Sequence, residues 1–226
     1  MSFKYIAVAS KLHDRQSLSR ALAGHERALA EAGGKRLDGA VADGEELAFI
    51  FVQTGGVENE VIRRYRSRRQ QGKTGPLLLI AHAAHNSLPA ALEILAQVQQ
   101  EGGAGRIYLL RAPDDAATLA DVQQTARCLD ANRRLAEDRL GLIGASSDWL
   151  VASSHRPETV ATRFGLKMVP LTVDELRAHV ARDPTPASGP EFATWDRAKA
   201  CEGVTREAFA RAVGVYRGLK ALAESY

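Results

Sequence analysis

Three short polar segments follow apolar runs in this chain, and each has the residue types to recognise a small hydroxyl-rich or anionic molecule. The first is Gln53-Thr54-Gly55-Gly56-Val57-Glu58-Asn59-Glu60. Its glycines allow close backbone approach to a ligand, and amides at a helix start attract anions. The same residues also make a tight turn in which Glu58 and Glu60 favour the helix dipole. Two neighbouring glycines without a third are not a dinucleotide fingerprint, and no Gly-Lys-Ser/Thr follows to form a phosphate loop.

The second segment is His82-Ala83-Ala84-His85-Asn86-Ser87. Asn86 and Ser87 carry the donors and acceptors that a sugar hydroxyl requires. Ser87 also reads as a helix N-cap, with Pro89 near the first helical position. His82 and His85 lack the third nearby ligand of a zinc or manganese site, so they read as polar loop residues or substrate contacts. Glu93, two turns beyond Ser87 on the following helix, can reach back to this loop or face solvent. The third segment runs from Gly141 to Leu150 and pairs Asp148 with Trp149. An indole covers a sugar face while a carboxylate takes hydroxyls, although Trp149 also suits a core anchor and Asp148 a cap. A serine hydrolase reading fails because there is no Gly-x-Ser-x-Gly elbow. Cys128 falls in a helical pattern, and Cys201 has no nearby histidine to activate it.

These segments need a scaffold, and the hydrophobic pattern supplies one. Apolar runs predict strands at Tyr5–Ala9, Leu47–Gln53, Pro76–Ala81, Arg106–Leu110, Leu140–Ile143 and Lys167–Leu171, with a weaker one at Leu37–Val41. Helical patterns lie between them at Arg15–Ala32, Val57–Gln71, Leu88–Glu101, Asp115–Leu135, Pro157–Phe164 and Val173–Arg182. Short buried runs alternating with helices predict a doubly wound parallel α/β sheet, in which ligands sit beyond the strand carboxyl ends. Thr172 and Glu175 have capping-box spacing, and Gly33-Gly34 and Gly102-Gly103 stop helices. The segment Asp183–Pro190, with three prolines, reads as a linker before a last helix at Thr205–Ala223. A division near residue 136 gives a first lobe, 1–135, and a partial second α/β lobe, 136–226. The second lobe is thin for independent stability. It is therefore expected to pack on the first, pair with another copy, or need a partner.

Composition narrows the function classes. The 226 residues are 25% charged and 45% hydrophobic, with a formal net charge of +3. That charge is too mild to argue for nucleic acid, and the cluster Arg63, Arg64, Arg66, Arg68, Arg69 and Lys73 winds around one helix without an RNA-binding aromatic signature. No run approaches the ~20 apolar residues of a membrane span. Two separated cysteines and no signal-peptide pattern predict a reduced, cytoplasmic protein with neither nucleic-acid nor membrane partners.

Taken in order, Phe51–Glu58, Asn86–Leu95, Arg139–Ser153 and Phe164–Leu176 resemble the N-terminal half of L-fucose isomerase-like proteins, a group related to L-arabinose isomerase. The resemblance implies an aldose–ketose isomerase built from two Rossmann-like lobes and a C-terminal domain, here with the second Rossmann-like lobe incomplete. It also implies a divalent metal, commonly Mn2+, whose ligands lie in the later part of a complete family member, and an N-terminal lobe that caps a neighbouring subunit's active site. Asn86, Ser87 and Glu93 match the family's Asn/Gln-Ser…Glu pattern. Pro89 stands where arabinose isomerases carry a histidine, which removes that contact. Tyr216–Lys220 resembles the helix preceding the first metal-ligand strand, so no residue here matches a metal ligand. The expectation is a sugar-recognition module that binds no metal itself, is inactive alone, and works as a homo-oligomer or beside a separate catalytic half. The substrate-binding candidates are Thr54, Gly55, Gly56, Glu58, His85, Asn86, Ser87, Glu93, Asp148 and Trp149. A non-catalytic sugar-binding or regulatory protein is the alternative. A free-standing enzyme around His82, His85, Glu58 and Asp148 is a third reading.

Overall fold

The computed structural model describes residues 2–37, 49–73, 75–151, 156–198 and 203–226. The chain divides into two compact units, Met1–Asp130 and Ala131–Tyr226.

The first unit is built on strands β1 (Phe3–Val8), β2 (Gly34–Arg36), β3 (Phe49–Val52), β4 (Leu77–Ala81) and β5 (Gly105–Leu109). All pair in parallel, in the order β2-β1-β3-β4-β5. Helices α1 (Arg15–Glu31), α2 (Glu58–Gln70) and α3 (Ser87–Gln100) make crossovers between strands, and the start of α4 (Ala116–Glu137), after β5, packs on the sheet. The period-2 alternation of strand side chains sorts the core into two layers. Leu77, Leu79 and Ala81 pack with Val57, Val61, Tyr65, Ile94 and Val98 beneath α2 and α3. Leu78 and Ile80 pack with Leu18, Leu22, Leu29 and Val122 beneath α1 and α4. Every residue of β3 and β4 is buried, as a sheet covered on both faces requires. The doubly wound α/β class is therefore the fold of this unit.

The strand order matters for function. Chain direction across the sheet reverses between β1 and β3, and the loops at that switch diverge to leave a crevice at the carboxyl edge.

Two local expectations change. The second strand is Gly34–Arg36, paired with Phe3–Tyr5, rather than Leu37–Val41, of which residues 38–41 lie outside the described residues. Residues 47 and 48 of the next expected strand, and Cys201, lie outside them too. Ser87 is the first residue of α3 and not its cap; the N-cap position is Asn86, which has left-handed backbone and makes no capping bond.

The second unit pairs β6 (Arg139–Ile143) with β7 (Lys167–Leu171) in parallel across the short helix α5 (Pro157–Phe164). Helix α6 (Val173–Val180) starts at the Thr172/Glu175 capping box. Helices α7 (Phe192–Arg197) and α8 (Arg206–Glu224) follow. The proline-rich segment before α7, expected to be a linker, is tied down instead. Arg217 of α8 donates to Asp183 at 2.7 Å, to the Ser188 carbonyl at 2.7 Å and to Glu191 at 2.9 Å. Gly214 permits this approach, since a Cβ there would stand 2.5 Å from the Pro184 carbonyl oxygen. Among the described residues, no helix is long and apolar enough to cross a membrane.

Candidate functional site

Four buried side chains at the carboxyl ends of β3 and β4 are polar: Gln53, Thr54, His82 and Ser87. They are the buried polar residues of the whole described chain, and they occupy one place. Burying a polar group is costly unless it is hydrogen-bonded, and here each is.

Ser87 joins the two strands. Its hydroxyl donates to the Val52 carbonyl and accepts the His82 N–H at 2.9 Å. The His82 ring joins the two loops. The Ala84 N–H donates to Nδ1 at 3.3 Å, so the proton sits on Nε2, which donates to the Gln53 carbonyl at 2.9 Å. That bonding describes a neutral imidazole, and burial pushes the His82 pKa down, reinforced by the neighbouring His25 and His85 and partly offset by Gln53. The Gln53 amide donates to Glu26 at 2.8 Å, and Glu26 pairs with Arg36 at 2.6 Å. Thr54 accepts the Ser10 N–H at 2.8 Å and donates to the Gly55 carbonyl at 3.0 Å, fastening the β1 loop to the β3 loop. A last backbone bond, Gly55 N–H to the His85 carbonyl at 2.8 Å, draws the β3 and β4 loops together.

Above this frame lies an open cleft of about 400 Å³, within the range of small-molecule sites. Gly55 and Gly56 form one wall; Asn86, Pro89 and Ala90 form another. Glu58, Glu93, His13 and His85 present their side chains to it. Glycine suits 55 because a Cβ there would crowd the Asn86 Cβ at 3.0 Å, and 56 because φ is +77°. His85 and Asn86 are left-handed without being glycine, with φ of 54° and 56°. Successive residues in that region store strain, and histidine and asparagine are among the types that tolerate it. The frame of buried bonds on either side holds them there.

Four histidine rings run in contact through the site, tilted at His25–His82 and edge to face at the other two pairs. Ring centroids lie 5.4 Å apart for His25 and His82, 5.9 Å for His82 and His85, and 5.8 Å for His85 and His13. Both His25 ring nitrogens are buried without a hydrogen-bond partner. Burial pushes its pKa down; the Leu110 backbone pulls the other way, though its geometry falls short of a hydrogen bond.

The sequence candidates thus divide. Gly55, Gly56, Glu58, His85, Asn86 and Glu93 line the cleft. Thr54 and Ser87, expected as ligand contacts, are both 0% exposed with their hydroxyls bonded to the backbone, so they position the loops and do not face a ligand. Asp148 and Trp149 belong to the second unit, where Trp149 is 79% exposed and so is no core anchor. Sequence reasoning missed His13, Gln53 as a strut and the structural part of His82. Its available signal was position: His13 follows the strand next to β3 across the switch, but strand order is not written in local pattern.

A glutamate pair, an asparagine amide and two imidazoles around one cleft offer hydrogen-bond donors and acceptors to a small polar ligand. Among the described residues, no three histidine, cysteine, aspartate or glutamate side chains converge to hold a metal ion. The Mn2+ that the family resemblance implies therefore has no fitting donor set among the described residues. No protein-family model matches this chain, and no curated protein matches it at a significant level.

Proposed function

We propose that the first unit is a sugar-recognition module of the fucose/arabinose-isomerase-like type, binding an aldose or ketose in the cleft at the β1/β3 switch. The observation that carries this reading is the convergence of Glu58, Glu93, Asn86 and His85 on one hollow whose supporting loops are braced by buried hydrogen bonds. A sugar offers many hydroxyl donors and no net charge. Carboxylates accept such donors well, and bonds to a charged acceptor are worth roughly 1.5–3 kcal/mol each. Isomerisation would need metal ligands and a proton shuttle that the cleft does not itself assemble, so recognition without turnover is the role assigned to this chain.

Isothermal titration with L-fucose and L-arabinose tests the reading. Binding with a Kd of about 1 mM or tighter is expected. Glu58→Gln and Glu93→Gln should each weaken it at least about tenfold while leaving the circular dichroism spectrum intact. Binding that survives both substitutions would place the site elsewhere. Ketose formation by the isolated chain with Mn2+ present would overturn the recognition-only role.

A further inference from the structure

We propose that the cleft is one end of a longer groove, and that the sugar it holds is preferentially part of an uncharged glycoside or oligosaccharide and carries no phosphate. The proposal rests on the sugar reading above and extends it.

Glu58 and Glu93 line the cleft and also a second hollow of about 240 Å³ that continues between α2 and α3. Ile62 follows Glu58 by one turn on α2, and Ala96, Gln97 and Gln100 descend from Glu93 on α3. Positions 93, 96, 97 and 100 share one helix face, so the hollow follows the helix axis for about 10 Å at 1.5 Å per residue. Small Ala96 leaves the space open at its middle. Its far end is closed by a fixed network: Gln97 donates to Glu101 at 2.8 Å, and Glu101 is paired with Arg66 of α2. Arg69 also donates to the Glu101 carbonyl at 3.2 Å.

The chemistry of the lining selects the occupant. Two carboxylates stand at the neck between the hollows, an exposed amide lies at Gln100, and Ile62 with Ala96 offers an apolar strip to a ring face. No lysine or arginine lines either hollow among the described residues. The nearest basic helix directs Arg64 to Glu60 and Arg66 to Glu101. A phosphate would therefore meet two like charges without a counter-charge. A free monosaccharide would leave the second hollow filled with water. A sugar carrying an aglycone or a further ring reaches both.

The experiment compares D-galactose, L-fucose and L-arabinose with their 4-nitrophenyl glycosides by titration calorimetry on the full chain. At least one glycoside should bind about tenfold tighter than its free sugar, and α-D-galactose 1-phosphate should bind no tighter than galactose. Ala96→Phe, at an exposed helix position, fills the groove and should bring the glycoside-to-sugar affinity ratio to about one. Gln100→Ala should lower the ratio without changing the fold measured by circular dichroism. Equal affinity for sugar and glycoside in the unaltered chain would overturn the groove while leaving the sugar reading standing. A ratio that survives Ala96→Phe would do the same, and tighter binding of the phosphate would overturn the charge argument. Failure of every probe to bind would overturn the sugar reading and this proposal with it.

Discussion

Replacing Ser87 with alanine tests whether the frame beneath the cleft is what positions its loops. The substitution removes one hydroxyl and leaves two backbone groups without their partner: the His82 N–H and the Val52 carbonyl. Ser87 and Val52 are 0% exposed and His82 is 1% exposed, so water does not replace the lost bonds. Each orphaned buried group costs roughly 1–3 kcal/mol. The serine hydroxyl no longer has to be desolvated, which returns part of that, and a net loss of about 2–4 kcal/mol remains. Both tryptophans, Trp149 and Trp195, lie in the second unit, so indole emission reports that unit and not the damage. Hydrogen exchange of peptides covering β3 and β4 is the suitable assay. At 1.4 kcal/mol per tenfold, protection there should fall about 30- to 700-fold. Ser67→Ala is the control: Ser67 is exposed and merely accepts from Gln71 at 3.4 Å, and its loss should stay within about 0.5 kcal/mol. Protection in β3 and β4 unchanged by Ser87→Ala would refute the reasoning, because the hydroxyl would then carry no load between the strands.

Other expectations follow from the same geometry. His25 and His82 have pKa values below the ordinary value, so the unfolded chain takes up protons on acidification before the fold does. Their contribution to stability is therefore complete above about pH 6.5 and is lost as pH falls toward the depressed folded values. Thermal melts from pH 7.5 to 5 should show a falling midpoint, less steep in His25→Leu; a flat profile would contradict this. Asn86→Val should cost about 1–2 kcal/mol in urea titration because φ is 56°, whereas Asn86→Gly should hold the midpoint and lose sugar affinity. Equal midpoints for the two variants would remove the strain argument. The Glu101 carboxyl is held at about 2 by Arg66 and Gln97, and in Arg66→Ala an NMR titration should find it climbing toward the ordinary glutamate range. Global stability should barely move, since exposed pairs contribute little.

How far the sequence reveals all this depends on what each residue answers to. Strands β3 and β4 were legible because both faces are covered, which leaves uninterrupted Phe49–Val52 and Leu77–Ala81. Strand β2 was misplaced because it is a three-residue edge strand with mostly exposed side chains and no apolar run. Helix α7, six residues long, is too short to show a period. The rule that ligands sit beyond strand carboxyl ends points to the two loops, and Gly55, Gly56, Glu58, His85 and Asn86 there line a cleft together with Glu93 of the following helix. What local pattern cannot separate is a polar side chain that faces a ligand from one that holds the loop. Thr54 and Asn86 look alike in sequence, yet one is buried against Ser10 and the other stands open to the cleft. Trp149 also follows a strand, but that strand belongs to the other unit, which local pattern does not distinguish.

That separation of roles is also the strongest reason to treat the cleft as selected. A doubly wound sheet gains nothing in stability from Gln53, Thr54, His82 and Ser87 in place of apolar residues, since buried hydrogen-bonded groups at best break even with well-packed hydrocarbon. The left-handed pair His85–Asn86 adds strain of order 1–3 kcal/mol per residue. Both costs fall on the same two loops, and those loops carry the amide and the imidazole that face the hollow and lead into the helices that carry its glutamates. Structural necessity would scatter such features over the sheet; a requirement for fixed loop geometry gathers them. Replacing Thr54 with valine and Ser87 with alanine together should therefore dissociate two properties that usually move in step. The core would lose specificity at the loops, and sugar affinity would fall further than Glu58→Gln alone can make it, although neither altered side chain touches the ligand.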